Sequence, residues 1–233
     1  MRCVWEHNGD DTLLYCADYV GAFTRGESLD EAIRKMQREV HSYLAWRDEP
    51  ALEVFAMEIV QEKNSDLQIK DADSDVIFET EMPSLSQEEY MKLKELALKS
   101  AIDFHQLYLS VPNKKESCLP IRNTFYGNVP RTAEEMYAHT KNVNAYYFGE
   151  IGIAADNEGS IYECRKRGFQ LLEKTDGFLD NLVVEGSYSE LWNLRKLIRR
   201  FVWHDRIHAK AMYRMAVRSF NKDRIENTFK FVL

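Results

Sequence analysis

The stretch Phe201-Val202-Trp203-His204-Asp205-Arg206-Ile207-His208 lies in a long segment without Gly or Pro, and its apolar residues recur with the period of an α-helix. The apolar stripe of this helix alternates steps of four and three residues: Leu197, Phe201, His204, His208, Ala211 and Met215. Side chains at positions i and i+4 project from the same face of a helix. The two imidazoles are therefore predicted to face inward and to converge on one point.

Length and composition indicate a soluble globular protein. The chain has 233 residues, of which 45% are hydrophobic and 30% charged. We find no run of eighteen apolar residues, and the start of the sequence lacks the apolar stretch of a secretory signal, so we expect a cytoplasmic protein that does not enter a membrane. The four cysteines, Cys3, Cys16, Cys118 and Cys164, form no CxxC pair, and we expect them to be reduced.

The net charge of -7 argues against a general nucleic-acid-binding protein, because such a protein needs a basic face to neutralise phosphates. Four basic residues lie on the side of the last helix opposite the histidine stripe: Arg195, Arg199, Arg206 and Lys210. The interpretation of these charges that we favour is a solvated outer face.

The first third of the chain has the pattern of a small α+β module. Residues 3–19 predict two short strands around a turn at Asn8-Gly9-Asp10-Asp11, and Ser28-Leu29-Asp30-Glu31 predicts the start of a helix. Residues 51–60 and 76–82 are rich in β-forming residues, with an acidic, irregular stretch at 62–75 between them. We place the end of this module near Pro83-Ser84.

The rest of the chain is predicted to be helical. Capping boxes and helical periodicity predict four helices, at residues 88–110, 132–150, 160–174 and 187–220. Four long helices in sequence favour a four-helix bundle. The predicted organisation is therefore an α+β module at residues 1–83 followed by an all-α bundle at residues 84–233.

The second predicted helix has its own apolar stripe, which includes Met136, His139, Val143 and Tyr146. Three histidines on two helices, His139, His204 and His208, can supply three nitrogen ligands to a divalent metal and leave positions open for water or substrate. Imidazole suits Zn²⁺ and Ni²⁺, our first choices, and also Fe²⁺. A pair of histidines with this spacing also occurs by chance in cores that bind no metal, and the third histidine is what favours a metal site.

Two carboxylates are candidates to support such a site. Asp103 lies on the first helix of the predicted bundle, where it can face the core. Its carboxylate could accept a hydrogen bond from the second ring nitrogen of a ligand histidine. Glu150 lies near the end of the bundle, and a solvated carboxylate is the alternative interpretation for both. Asp205 points away from the ligand face and is expected to pair with Arg206 or with a neighbouring helix. The other histidines, His7, His41 and His105, are expected to be surface or hydrogen-bonded residues.

The segments Thr132-Ala133-Glu134-Glu135-Met136-Tyr137-Ala138-His139, Leu194-Arg195-Lys196-Leu197 and His204-Asp205-Arg206-Ile207-His208 resemble the DinB-like (DinB/YfiT) superfamily over residues 86–220. Its members are four-helix bundles with a three-histidine metal site. The resemblance implies His139, His204 and His208 as ligands. It also implies thiol-dependent transfer, isomerisation or hydrolysis of a small-molecule substrate, with a low-molecular-weight thiol as a candidate partner and a homodimer as an open question.

The start of the chain resembles a second family. Residues Trp5-Glu6-His7-Asn8-Gly9-Asp10-Asp11 and the run from Asp18-Tyr19-Val20-Gly21 to Glu31-Ala32 are similar to the HicB-like antitoxin module, a degenerate RNase H-like fold. In that family the module binds a protein partner, and a separate domain binds DNA. We find no helix-turn-helix or ribbon-helix-helix pattern here, so a sensing, scaffolding or dimerising role is expected instead of toxin neutralisation.

Two functional hypotheses follow from the sequence. The first is a metal-dependent hydrolase or thiol S-transferase, in which the ion activates a water or a thiol in a pocket partly lined by Phe104, Tyr146 and Tyr147. The second is a non-catalytic interaction or regulatory protein, whose HicB-like module binds a protein partner and whose metal is structural. The absence of an evident acid or base beside the three histidines is the reason for the second.

Overall fold

A computed structural model describes residues 1–52, 56–71, 73–124 and 127–232. The strands are β1 (Arg2–Asn8), β2 (Asp11–Cys16), β3 (Phe23–Gly26), β4 (Glu58–Asn64), β5 (Asn123–Thr124), β6 (Gly127–Asn128), β7 (Val184–Glu185) and β8 (Leu191–Trp192). The α-helices are α1 (Leu29–Trp46), α2 (Gln87–Ser110), α3 (Ala133–Glu150), α4 (Ile161–Leu172) and α5 (Leu194–Ser219). The protein is thus a small mixed sheet followed by helices, an α+β arrangement.

The amino-terminal sheet has four strands in the order β3-β2-β1-β4. β1 and β2 form an antiparallel hairpin with Asn8 opposite Asp11, which confirms the predicted turn. β4 pairs with β1 in parallel. A strand was predicted at residues 51–60, of which 53–55 lie outside the described residues, and the observed strand begins only at Glu58.

The helix α1 begins where the sequence predicts it. The side chain of Ser28 accepts a hydrogen bond from the backbone N–H of Glu31, which satisfies one of the free donors of the first turn. The apolar side of α1, with Met36 and Val40 fully buried, packs against β2 and β3.

The four helices α2 to α5 pack against each other. α5 contacts α2 and α3, and α4 contacts α2 and α3. Their buried side chains, such as Phe104 and Phe201, belong to the same hydrophobic cluster as Met36 and Val40 of α1. The sheet segment and the helices therefore share apolar contacts, and the division at residues 83 and 84 stays a prediction.

The last helix begins later than its sequence predicts. Ser187-Tyr188-Ser189-Glu190 resembles a capping box, but it forms the tip of the β7–β8 hairpin. Tyr188 and Ser189 there have φ of 59° and 56°, which a right-handed helix does not allow. The cap is Asn193, whose side chain accepts a hydrogen bond from the backbone N–H of Lys196.

The strand predicted at residues 76–82 is absent, since these residues contain a 3₁₀ turn at Glu79–Glu81 and no strand. The carboxylate of Glu81 accepts a hydrogen bond from the N–H of Phe78 at 2.9 Å and pairs with the guanidinium of Arg199. This local bonding turns the chain toward α5 and replaces the ladder bonds of a strand.

The basic side of α5 is not a solvated face. Arg199 and Arg206 are 2% and 0% exposed, and their guanidinium groups pair with Glu81 and Glu39 of the amino-terminal segment. The centroid of the Phe78 ring also lies 3.8 Å from the guanidinium carbon of Arg199. The prediction is wrong for these two arginines because their acidic partners come from remote parts of the chain.

Two further features of the structure concern the cysteines and the length and apolarity of the helices. All four cysteines are unpaired, and Cys118 is exposed while Cys3, Cys16 and Cys164 are buried. Within the described part of the chain, none of the helices has the length and apolarity that crossing a bilayer requires.

Candidate metal centre

Three histidines meet where α3 packs against α5. His139 comes from α3, and His204 and His208 come from α5. One ligand nitrogen from each lies within 4.8 Å of the other two. The Nε2 atoms of His139 and His204 are 3.2 Å apart. The structure therefore brings all three predicted ligands together, close enough to hold one metal ion.

The burial of the three rings differs in a way that opens the cluster on one side. His204 is only 8% exposed, His208 is half-buried and His139 is exposed. α5 places its histidines on the predicted stripe, where Leu197, Phe201 and Met215 are fully buried. The cluster thus has a closed side at His204 and a solvent side at His139.

The position of His139 differs from the sequence prediction. The buried positions of α3 include Met136, Thr140, Asn144 and Tyr147, so the core-facing side is rotated away from the predicted stripe. His139 therefore lies at the margin of the helix interface and not within its core. The cluster is therefore open to solvent at His139.

All three imidazoles are in the form that can bind a metal. Burial, followed by the charges of the other two histidines, holds the pKa of His204 well below its ordinary value. Burial lowers the pKa of His208 to about 3 and also lowers the pKa of His139. Neutral imidazole is the ligating form, so the lowered pKa values favour metal binding at neutral pH.

The donor set fits a divalent ion. Tetrahedral zinc with Zn–N bonds of about 2.0–2.1 Å separates its nitrogens by about 3.3 Å, close to the His139–His204 spacing. Nε2 of His204 is hydrogen-bonded to Nε2 of His139, inside the cluster. The other ring nitrogen of His204, the buried Nδ1, has no hydrogen-bond partner among the described residues. Two imidazole nitrogens at this separation need either a shared proton or a bound ion between them.

Neither predicted supporting carboxylate contacts the histidines. Asp103 does face the core, but its carboxylate accepts a hydrogen bond from Trp46 Nε1 at 2.6 Å and pairs with Lys99. Glu150 accepts a hydrogen bond from the backbone N–H of Ser187 at 2.6 Å. Both side chains therefore bond to neighbouring elements, and the role suggested for them at the site stays a prediction.

Asp205 pairs with a neighbouring helix, the second of the two alternatives predicted for it. Its carboxylate lies 2.5 Å and 3.0 Å from the two terminal nitrogens of Arg165 in α4, and it accepts a further hydrogen bond from Ser100 in α2. Because Asp205 follows His204 directly, these bonds join α5 to α4 and α2 next to His204.

Two arginines near the cluster were not identified from the sequence. The positive charges of Arg200 and Arg165 both contribute to the lowered pKa of His204. Arg200 precedes His204 by four residues, a spacing that would have placed it on the same face of the helix. Arg165 lies on another helix, and no sequence spacing points to it.

The predicted pocket residues have different environments. Tyr147 is buried, and its ring centroid lies 6.0 Å from that of His204. Tyr146 is 40% exposed beside Trp192. Phe104 is fully buried against Tyr137, so it packs inside the helices and does not reach the solvent side of the cluster.

The remaining histidines are hydrogen-bonded elsewhere, as the sequence predicts. The rings of His7, His41 and His105 bond to Glu62, to the backbone oxygen of Leu52 and to the hydroxyl of Tyr137, respectively. Among the described residues, the cluster of His139, His204 and His208 is thus the one group of histidines that meets at a single point.

Comparisons with protein-family models, with curated proteins and with solved structures give no match to this chain. The geometry of the histidine cluster therefore carries the functional argument.

Proposed function

We propose that this protein is a metal-dependent enzyme in which His139, His204 and His208 hold one divalent ion. The observation that carries the proposal is the convergence of three neutral nitrogens within 4.8 Å, with His139 exposed on the solvent side. Three protein ligands and an open side are typical of catalytic sites, whereas structural zinc sites are closed by a fourth protein ligand.

The reaction class follows from the charge of the site. When bound, a divalent ion on three neutral imidazoles supplies a Lewis acid that polarises an electrophile and lowers the pKa of a water or a thiol. The charges of Arg165 and Arg200 add to the positive potential at His204. This potential favours an anionic nucleophile, so hydrolysis and thiol S-transfer on a small-molecule substrate are the proposed activities.

The proposal includes a DinB-like four-helix bundle for α2 to α5 and a HicB-like module for residues 1–83. The contacts of α5 and of α4 with both α2 and α3 support the first part. The β-hairpin followed by α1, with β4 parallel to β1, supports the second. A cytoplasmic location and zinc or nickel as the metal, with iron as a third choice, complete the proposal.

Metal analysis tests the ligand set directly. Untagged protein purified without chelator is analysed by inductively coupled plasma mass spectrometry, together with the His204→Ala and His41→Ala variants. We expect about one equivalent of metal in the wild type and in His41→Ala, and none in His204→Ala. His41 is a suitable control because its ring bonds to the backbone of Leu52, away from the cluster. Retention of metal by His204→Ala would refute the assignment.

A structural metal in a non-catalytic interaction protein is the second candidate function. It is favoured by the fact that neither Asp103 nor Glu150 contacts the histidines, which leaves the described site without a carboxylate acid or base. Chelation separates the two functions. An apo protein that keeps its helical circular dichroism supports a catalytic site, whereas unfolding on metal removal supports a structural one. A specific protein captured by the full chain through its amino-terminal module would further support the interaction protein.

A further inference from the structure

A cleft lies between α1 and α5, on the side of β3. Its volume is about 580 Å³, and its lining includes Phe23, Ile207 and Ala211 together with many charged side chains. Ligand pockets for small molecules have volumes of about 300–1,000 Å³ and combine apolar walls with a few polar anchors. The cleft therefore has the size of a small-molecule site, and its many charged side chains favour a charged ligand.

The lining of this cleft is basic, although the protein as a whole is acidic. Six basic side chains face four acidic ones, whereas the whole chain has a net charge of -7. The basic residues are Arg25, Lys35, Arg38, Lys70, Lys210 and Arg214. A local excess of positive charge on an acidic protein favours a specific anion over general polyanion binding.

Two of the four acidic residues of the cleft, Glu31 and Glu39, are paired with cations. Glu39 is buried and contacts two cations, Arg206 at 2.6 Å and Lys210 at 2.9 Å. These cations hold the pKa of Glu39 below its ordinary value despite the opposing effect of burial. Glu31 pairs with Lys35 at 2.6 Å. Glu31 and Glu39 therefore do little to repel an incoming anion, which leaves Asp11 and Glu27 against the cations of the cleft.

Three cations of the cleft have no such partner. The side chains of Arg38, Lys70 and Arg214 are exposed, and none of them makes an ion pair or a hydrogen bond to a described residue. Arg38 belongs to α1 and Arg214 to α5, so two guanidinium groups reach the cleft from different helices. The planar guanidinium fork matches phosphate oxygens and binds them through two parallel hydrogen bonds.

From this arrangement we infer that the cleft binds a small phosphorylated molecule, with its phosphate between Arg38 and Arg214 and its body against Ile207 and Ala211. Lys70 supplies a third positive charge at the rim. None of the three histidines lines this cleft, so the inference does not require the proposed metal. Its ligand class is a phosphate ester or anhydride.

Isothermal titration calorimetry with inorganic pyrophosphate tests the inference. The 233-residue chain is compared with the double variant Arg38→Ala/Arg214→Ala, and with Arg34→Ala/Arg218→Ala as a matched control. The control removes the same two charges from the exposed surfaces of the same two helices, but Arg34 and Arg218 do not line the cleft. Each charge-assisted hydrogen bond contributes enough that loss of the cleft pair should weaken binding by about tenfold or more, with a much smaller effect in the control.

The same titration in a His204→Ala background distinguishes this site from the metal centre, because pyrophosphate also binds metal ions. An unchanged affinity for pyrophosphate in the His204→Ala protein supports binding in the cleft. This result is expected whether or not the histidines bind a metal. Equal losses in the two double variants, loss of binding in His204→Ala or no binding to the wild type would overturn the inference. Tighter binding of a single-stranded oligonucleotide through Arg38 and Arg214 would overturn it in favour of a nucleic-acid surface.

Discussion

Arg165 and Asp205 form a two-point ion pair in the interior of the protein, and neither side chain is exposed to solvent. The pair joins α4 to α5 at the residue that follows His204. The guanidinium of Arg165 also lies 4.2 Å from the ring centroid of Phe201, which precedes His204 by about one helical turn. This interaction links the packing of the helices to the orientation of the histidine cluster.

Replacing Arg165 by Met should strongly destabilise the fold. The carboxylate of Asp205 would stay buried with Ser100 as its remaining side-chain partner, and breaking a buried pair in this way destabilises by about 3–5 kcal/mol. The free energy of unfolding in urea measures the effect. The control is Lys92→Met, which removes an exposed pair with Glu88 and should leave the unfolding curve unchanged. Similar curves for both variants would show that the buried pair is not a major contributor to stability.

Replacing Asp103 by Ala should reduce stability without removing the metal. The variant leaves the indole N–H of the buried Trp46 without its acceptor, and a buried donor left unsatisfied destabilises by about 1–3 kcal/mol. Thermal unfolding measures the first effect, and metal content relative to wild type measures the second. A folded Asp103→Ala protein without metal would restore the supporting role that the sequence suggested.

Glu6 should make the stability of the fold decrease as pH rises, which is opposite to the effect of a carboxylate whose pKa is lowered on folding. Burial raises its pKa above the ordinary value of 4.5, although hydrogen bonds from Ser74 and Asp75 oppose the shift. Above pH 4.5 the unfolded chain loses the Glu6 proton first, so the folded state binds more protons and stability falls as pH rises toward the raised pKa.

The Glu6→Gln variant isolates this contribution. The difference in unfolding free energy, wild type minus Glu6→Gln, should be largest below pH 4.5 and should decrease as pH rises through the raised pKa. Urea unfolding at several pH values, with both proteins in the same buffers, gives this difference. A difference that increases with pH would mean that Glu6 is stabilised as a carboxylate in the folded state.

The two faces of α5 show which parts of the structure can be inferred from the sequence. Local spacing predicts the stripe with His204 and His208, because the period of a helix is a property of neighbouring residues. Spacing cannot distinguish a solvated arginine from a buried one. The carboxylates that pair with the buried Arg199 and Arg206 lie 118 and 167 residues away along the chain. For the same reason His139 was correctly predicted to lie beside His204 and His208 but was placed too deep, since its exposure depends on how α3 is rotated against α5.

Gly168 and Gly149 should respond in opposite ways to replacement by Ala, although both lie in helices. A Cβ atom at Gly168 would come within 2.1 Å of the Phe148 ring, whereas one at Gly149 would meet no atom within 4 Å. Phe148 is fully buried between Phe169 and Phe201, so it has little room to move away. Overpacking of this kind destabilises by about 1–3 kcal/mol. Gly149→Ala should instead stabilise α3 by up to about 1 kcal/mol, because Ala has the higher helix propensity. Urea unfolding of the two variants measures both effects, and a neutral Gly168→Ala would show that α4 can shift away from α3 at this contact.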